Sequence, residues 1–130
     1  MTVTFAKRLF LVAGIYGVVV VLPLLFLEKT IGELQPPAVT HPEYYYGFVW
    51  VTLAWQIAFL VIARDPVRYR PLIPAALVEK VGFSFSALVL FAQGRLDASG
   101  LLPAGIDLVL AGLFVWAFFE LGRHGRLDDC

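Results

Sequence analysis

The sequence predicts an all-α fold: a single integral membrane domain, residues 1–130, built as an up-down bundle of four spanning helices with both termini cytoplasmic. Three observations predict it. The chain is 60% hydrophobic over 130 residues, with a mean hydropathy of +0.82, more apolar surface than a soluble domain of this size can hide. The apolar residues gather in stretches of about 20, the length of a spanning helix. Most charged residues fall between these stretches, and the lysines and arginines there follow an alternating bias.

The first stretch runs from Leu9 to Leu27, after Lys7 and Arg8 and before Glu28 and Lys29. The run Val18 to Val21 would favour a strand in water, but in lipid a lone segment must satisfy its own backbone, so it is read as helix. It is also read as an uncleaved span, since it is longer than a leader core and no small-x-small site follows it. The second stretch, Tyr44 to Ala63, stops at Arg64-Asp65-Pro66. The third, Leu72 to Gln93, opens after Arg70-Pro71 and closes at Gly94-Arg95. The fourth, Leu101 to Leu121, ends at Gly122-Arg123. Between the first two, Glu28 to Glu43 is expected to be a tether, and Arg64 to Pro71 a short basic loop lying on headgroups.

Orientation follows from the short flanks. Lys7, Arg8, Arg64, Arg68, Arg70, Arg123 and Arg126 fall on one side, Lys29 and Arg95 on the other. The richer side is expected to be cytoplasmic, with Tyr44, Tyr45 and Tyr46 anchoring the outer interface and Tyr69 and Trp116 near the inner one.

Other functions are disfavoured. A net charge of zero gives no reason to expect nucleic acid. The single cysteine, Cys130, is read as an exposed thiol: it has no disulfide partner, forms no CxxC motif and sits too close to the end for a prenylation box. His41 and His124 have no second ligand at metal spacing, so no metal is expected. No histidine lies in a span, so axial haem ligation by histidine within the bundle is excluded, and no serine has a base nearby to make a hydrolase.

The candidate site is the set of polar residues at membrane depth. Glu79, Lys80 and Asp107 are ionisable, and each costs about 2.5 to 3.5 kcal/mol at a helix centre. From a rise of about 1.5 Å per residue, Glu79, Lys80, Tyr16 and Gln56 share one layer near the midplane, and Asp107 lies roughly 6 Å outward. Glu79, Gly82 and Ser86 fall at i, i+3 and i+7, so that face is expected to pack on another helix. Val81, Phe85 and Leu88 lie opposite and should face lipid. Lys80 aligns instead with Ser84 and Ala87. Pro23 frees the carbonyl of Val19 and can bend the first helix.

Two readings of these residues stay open. In one they form a buried polar site. In the other, Lys80 snorkels toward the inner interface, Glu79 is packing glue and Asp107 reaches outer water. A buried site fits a binding protein for a lipophilic or cationic small molecule. An accessory subunit is another reading: the pairs Ala54 and Ala58, and Gly82 and Ser86, could serve partner binding, although packing of the chain's own helices is their expected use. A buried site also fits an enzyme acting on a lipid, sterol or quinone, with Glu79 or Asp107 as acid or base and Lys80 or Tyr16 steadying charge. A small proton-linked exporter is a further alternative, although the small multidrug exporters carry their glutamate in the first helix and this first helix has none. No catalytic residue or cofactor is assigned. The expected partners are the bilayer, a lipophilic molecule and a second copy of the chain.

The run Ala63-Arg64-Asp65-Pro66-Val67-Arg68-Tyr69-Arg70-Pro71-Leu72, followed by Glu79-Lys80-Val81-Gly82, resembles small four-span bacterial membrane proteins of DoxX-like type. The resemblance covers about the middle third of the chain and implies a location in the bacterial inner membrane. It brings no catalytic motif.

Overall fold

A computed structural model of the chain describes residues 2–128 and contains only helices and connecting turns among them. Helix α1 spans Thr2–Val21 and passes into a 3-10 turn at Leu22–Phe26; α2 is short, Glu28–Leu34; α3 spans Pro42–Arg64; α4 spans Ile73–Ala92; α5 spans Leu101–Asp128. With their flanking turns, four segments are long and apolar enough to cross a membrane: Val3–Phe26, Pro42–Arg64, Arg70–Ala92 and Ala98–Leu127. They coincide with the four expected stretches. The expected end at Gly122 is not observed, because α5 continues through Gly122 and Gly125. Cys130 lies outside the described residues.

Helix α1 packs along α3, α4 along α5, and α1 also meets α5. The order around the bundle is therefore α3, α1, α5, α4. The seam between α3 and α4 closes the ring, and there the backbones stay farther apart.

The main core occupies the end that holds both termini. Ala6, Leu9, Phe10 and Ala13 of α1 meet Phe59, Ile62 and Ala63 of α3, Ile73 and Ala76 of α4, and Phe114, Ala117 and Leu121 of α5. Phe10 stacks on Phe114 with ring centroids 4.4 Å apart, and Phe59 meets Phe114 edge-on at 5.2 Å. Alanines at Ala6, Ala13, Ala76 and Ala117 let the helices approach around these rings. Toward the other end, a smaller cluster of Val21, Val49 and Leu53 joins α1 to α3.

Each hairpin has its own lock. In α1, Gly14 and Gly17 form a notch for α3: a Cβ on Gly14 would lie 2.7 Å from Leu60 Cδ2, and one on Gly17 would fall on the Gln56 side chain. In the second hairpin, Arg70 at the foot of α4 donates from Nε to the Phe118 carbonyl at 2.8 Å and lies 3.8 Å above the Phe118 ring. The missing side chain of Gly122 leaves room for that guanidinium. Arg70 is thus a clasp between helices, because a bare carbonyl and an aromatic face lie within its reach.

Two other expectations change. The segment from Glu28 to Glu43 is not a plain tether, since it begins with α2. Tyr46 Oη donates to Glu28 Oε2 at 2.8 Å, and Tyr45 Oη donates to the Leu24 carbonyl at 2.6 Å. These two tyrosines fasten the α1–α2 corner to α3, and Tyr44 remains the exposed member. The stripe Glu79, Gly82 and Ser86 is not the packed face of α4. Gly82 and Ser86 are exposed, and the buried stripe is Ile73, Ala76, Lys80, Ser84 and Ala87. Val81, Phe85 and Leu88 are exposed as expected. Helix α4 ends where predicted: Gly94 adopts φ +71°, and the Gly94 and Arg95 amides return to the Phe91 and Leu90 carbonyls, the glycine-terminated arrangement that only a left-handed residue permits.

Candidate functional site: an ion cluster between α4 and α5

The buried stripe of α4 determines the site. Lys80 and Ser84, one turn apart, both face α5. Ser84 Oγ donates to the Ala104 carbonyl at 2.9 Å, which fixes the antiparallel register of the two helices. In that register Asp107, nearly one turn further along α5, comes level with Lys80. Lys80 Nζ donates to Asp107 Oδ1 at 3.0 Å and lies 3.6 Å from Glu79 Oε2. The side chains are largely enclosed, at 6% exposure for Lys80, 19% for Glu79 and 16% for Asp107.

Neither escape to water occurs. Lys80 Nζ reaches Asp107 on α5 and is enclosed. Asp107 turns toward Lys80 and is largely enclosed. The reason is electrostatic: an opposite charge 3.0 Å away in a poorly polarisable setting outcompetes a distant interface. Glu79 and Lys80, consecutive and therefore about 100° apart on the helix, still pair, because both side chains are long enough to curl toward each other.

The sequence candidates divide. Glu79, Lys80 and Asp107 are brought together. Gln56 is 2% exposed but faces α1, where it fills the Gly17 notch and donates from Nε2 to the Thr52 carbonyl at 2.9 Å. Its amide is held within α3 and α1 and does not join the cluster. Tyr16 is 38% exposed and stands apart from it. Phe59 was not among the candidates, yet its ring centroid lies 5.2 Å from Lys80 Nζ. Its position one turn below Gln56 was the available signal. Helical spacing aligns Ser84 with Lys80 but assigns it no role; its hydroxyl sets the register.

The cluster has an internal imbalance. One ammonium serves two carboxylates. Asp107 has a hydrogen bond to Lys80, whereas Glu79 Oε2 is buried and has no hydrogen-bond donor. Glu79 lies on the flank of α4 that faces α3: Phe83, one turn beyond it, has its ring centroid 6.5 Å from that of Phe48 on α3. Among the described residues no group of three His, Cys, Asp or Glu side chains is placed to hold a metal. Comparison of the chain with known protein families, with characterised proteins and with solved structures found no match.

Proposed function

We propose that the chain is a multi-pass protein of the bacterial inner membrane, with both termini cytoplasmic, that binds a lipophilic small molecule at a polar site in its bundle. The lysine and arginine bias supports the orientation. The resemblance to four-span bacterial proteins supports the location. The observation that carries the functional reading is the enclosed cluster of Lys80 with Glu79 and Asp107. Ionisable groups at this depth are costly, and they mark ligand or ion sites unless they serve only to join helices. A cluster meant only to join α4 to α5 needs one cation and one anion; this one has a second carboxylate.

The test is to purify the parent and the Glu79→Gln variant in mild detergent and identify co-purifying small molecules by mass spectrometry. A molecule retained by the parent and lost from a folded E79Q supports the reading. Retention of the same molecule by both, or of none by either, contradicts it.

A second reading has its own observation. Added Cβ atoms at Gly82, Gly105 and Gly112 would meet nothing within 4 Å, so the outward faces of α4 and α5 are smooth where a partner helix could approach. An accessory subunit would use those faces, and oligomeric state in native membranes separates the two readings.

A further inference from the structure

We propose that the seam between α3 and α4 binds a lipophilic monovalent cation, with Glu79 as its anionic contact and Phe48 and Phe83 as its aromatic walls. The inference rests on the small-molecule reading above and specifies the ligand's charge and route.

Charge balance is the first support. With all three groups ionised, Lys80, Glu79 and Asp107 carry one uncompensated negative charge. In a low-dielectric setting such a charge recruits a cation or a proton. No residue of α3 between Tyr46 and Arg64, and none of α1 between Arg8 and Glu28, is a lysine, arginine or histidine that could supply it. Neither α1 nor α3 thus balances the cluster, and a cation or a proton from outside the chain can.

Geometry is the second support. Asp107 holds the ammonium of Lys80 at 3.0 Å, whereas Glu79 is farther from it at 3.6 Å, with its Oε2 lacking a donor. Glu79 is the carboxylate with spare capacity. Its flank of α4 faces the one side of the ring where the helix backbones do not close. The Phe48 and Phe83 rings span that gap at 6.5 Å between centroids, tilted by 30°. Aromatic faces attract a cation once it is desolvated, and Lys80 itself already lies 5.2 Å from the Phe59 ring. A carboxylate one helical turn from a pair of aromatic rings favours an organic cation with apolar substituents over a hydrated metal ion.

The test uses tetraphenylphosphonium, a permanent cation, and triphenylphosphine oxide, a neutral molecule of similar shape, with the full chain in lipid nanodiscs. The parent is expected to bind the cation and prefer it to the neutral molecule. Glu79→Gln is expected to weaken the cation about tenfold or more, since a charge-assisted contact is roughly twice as strong as a neutral one, and to leave the neutral molecule unaffected. Asp107→Asn should do the same, because Lys80 then turns wholly to Glu79 and cancels the excess charge. Lowering the pH should weaken cation binding to the parent, as protons compete for the same carboxylates. The groups facing Glu79 are Lys80 on its own helix and Asp107 on α5, and α3 presents none. Folding of each variant is checked by circular dichroism and size exclusion. Equal cation binding by parent and folded E79Q overturns the proposal. Binding of both molecules irrespective of charge overturns the cation assignment but leaves the lipophile-binding reading standing. Binding of neither overturns both.

Discussion

Removing the cation from the cluster should cost far more than removing either anion. At an effective dielectric constant of about 20, the contacts of Lys80 with Asp107 at 3.0 Å and Glu79 at 3.6 Å contribute roughly 5.5 and 4.6 kcal/mol. The two bonded oxygens lie no more than 6.6 Å apart, the sum of those distances, so their repulsion is about 2.5 kcal/mol or more. Enclosing each ion costs about 3 kcal/mol. Attraction less repulsion is thus about 7.5 kcal/mol against a burial cost of about 9, so the cluster is near break-even, as buried ion groups usually are. Lys80→Met removes both attractions and leaves two carboxylates facing each other. After relaxation the expected loss is about 3 to 5 kcal/mol, the range for breaking a buried pair. Glu79→Gln loses about 4.6 kcal/mol of attraction but relieves about 5.5 kcal/mol of repulsion and burial, so its stability should stay within roughly 1 kcal/mol of the parent. Asp107→Asn should behave the same way. The assay is reversible unfolding in mixed micelles of mild detergent and dodecyl sulfate, followed by circular dichroism. Equal losses in K80M and E79Q would refute the charge accounting, because they would mean the side chains act through packing alone.

Other consequences follow from the packing. Gly17→Leu should destabilise by about 2 kcal/mol or more, because its side chain would occupy the space of Gln56 in a close helix contact; the same unfolding assay reads it, and Gly82→Leu, with open space around it, is the control that should change little. Ser84→Ala should cost about 0.6 kcal/mol and no more than about 1.7, the mean and the maximum for interhelical hydrogen bonds in membranes. Arg70→Met should loosen the foot of α4 from α5 and speed amide exchange around Phe118 and Gly122; unchanged exchange there would contradict the clasp.

The fold was legible in the sequence because its signals are local. Four apolar stretches, Arg64-Asp65-Pro66 and Gly94 carry their own boundaries. The site was only half legible. Glu79, Lys80 and Asp107 were identifiable as expensive residues, but counting depth along separate helices put Asp107 well outside the layer of Lys80. Helix register is set between helices, by pairs such as Ser84 with Ala104, and a lysine stem bridges an axial offset that such counting treats as separation. Gln56 and Tyr16 shared the right depth with no rotational information. Gln56 turned toward the notch of Gly17, which appears only when α1 and α3 are placed together. The face of α4 differs for a related reason: small residues at Gly82 and Ser86 permit helix contact without requiring it, whereas a Lys80 that is buried needs its anionic partners beside it. The clasp of Arg70 was hidden because its acceptor, the Phe118 carbonyl, is a backbone atom that no side-chain pattern announces.

The most direct test of the account is the distance between Lys80 and Asp107 in a lipid bilayer. Solid-state NMR with nitrogen-15 at Lys80 Nζ and carbon-13 at Asp107 Cγ reads that distance from their dipolar coupling. With Nζ 3.0 Å from Oδ1, the account predicts a separation of about 4 Å or less. A value beyond about 6 Å, outside the reach of an ion pair, would show that the charges go separately to water and that the bundle holds no ion cluster.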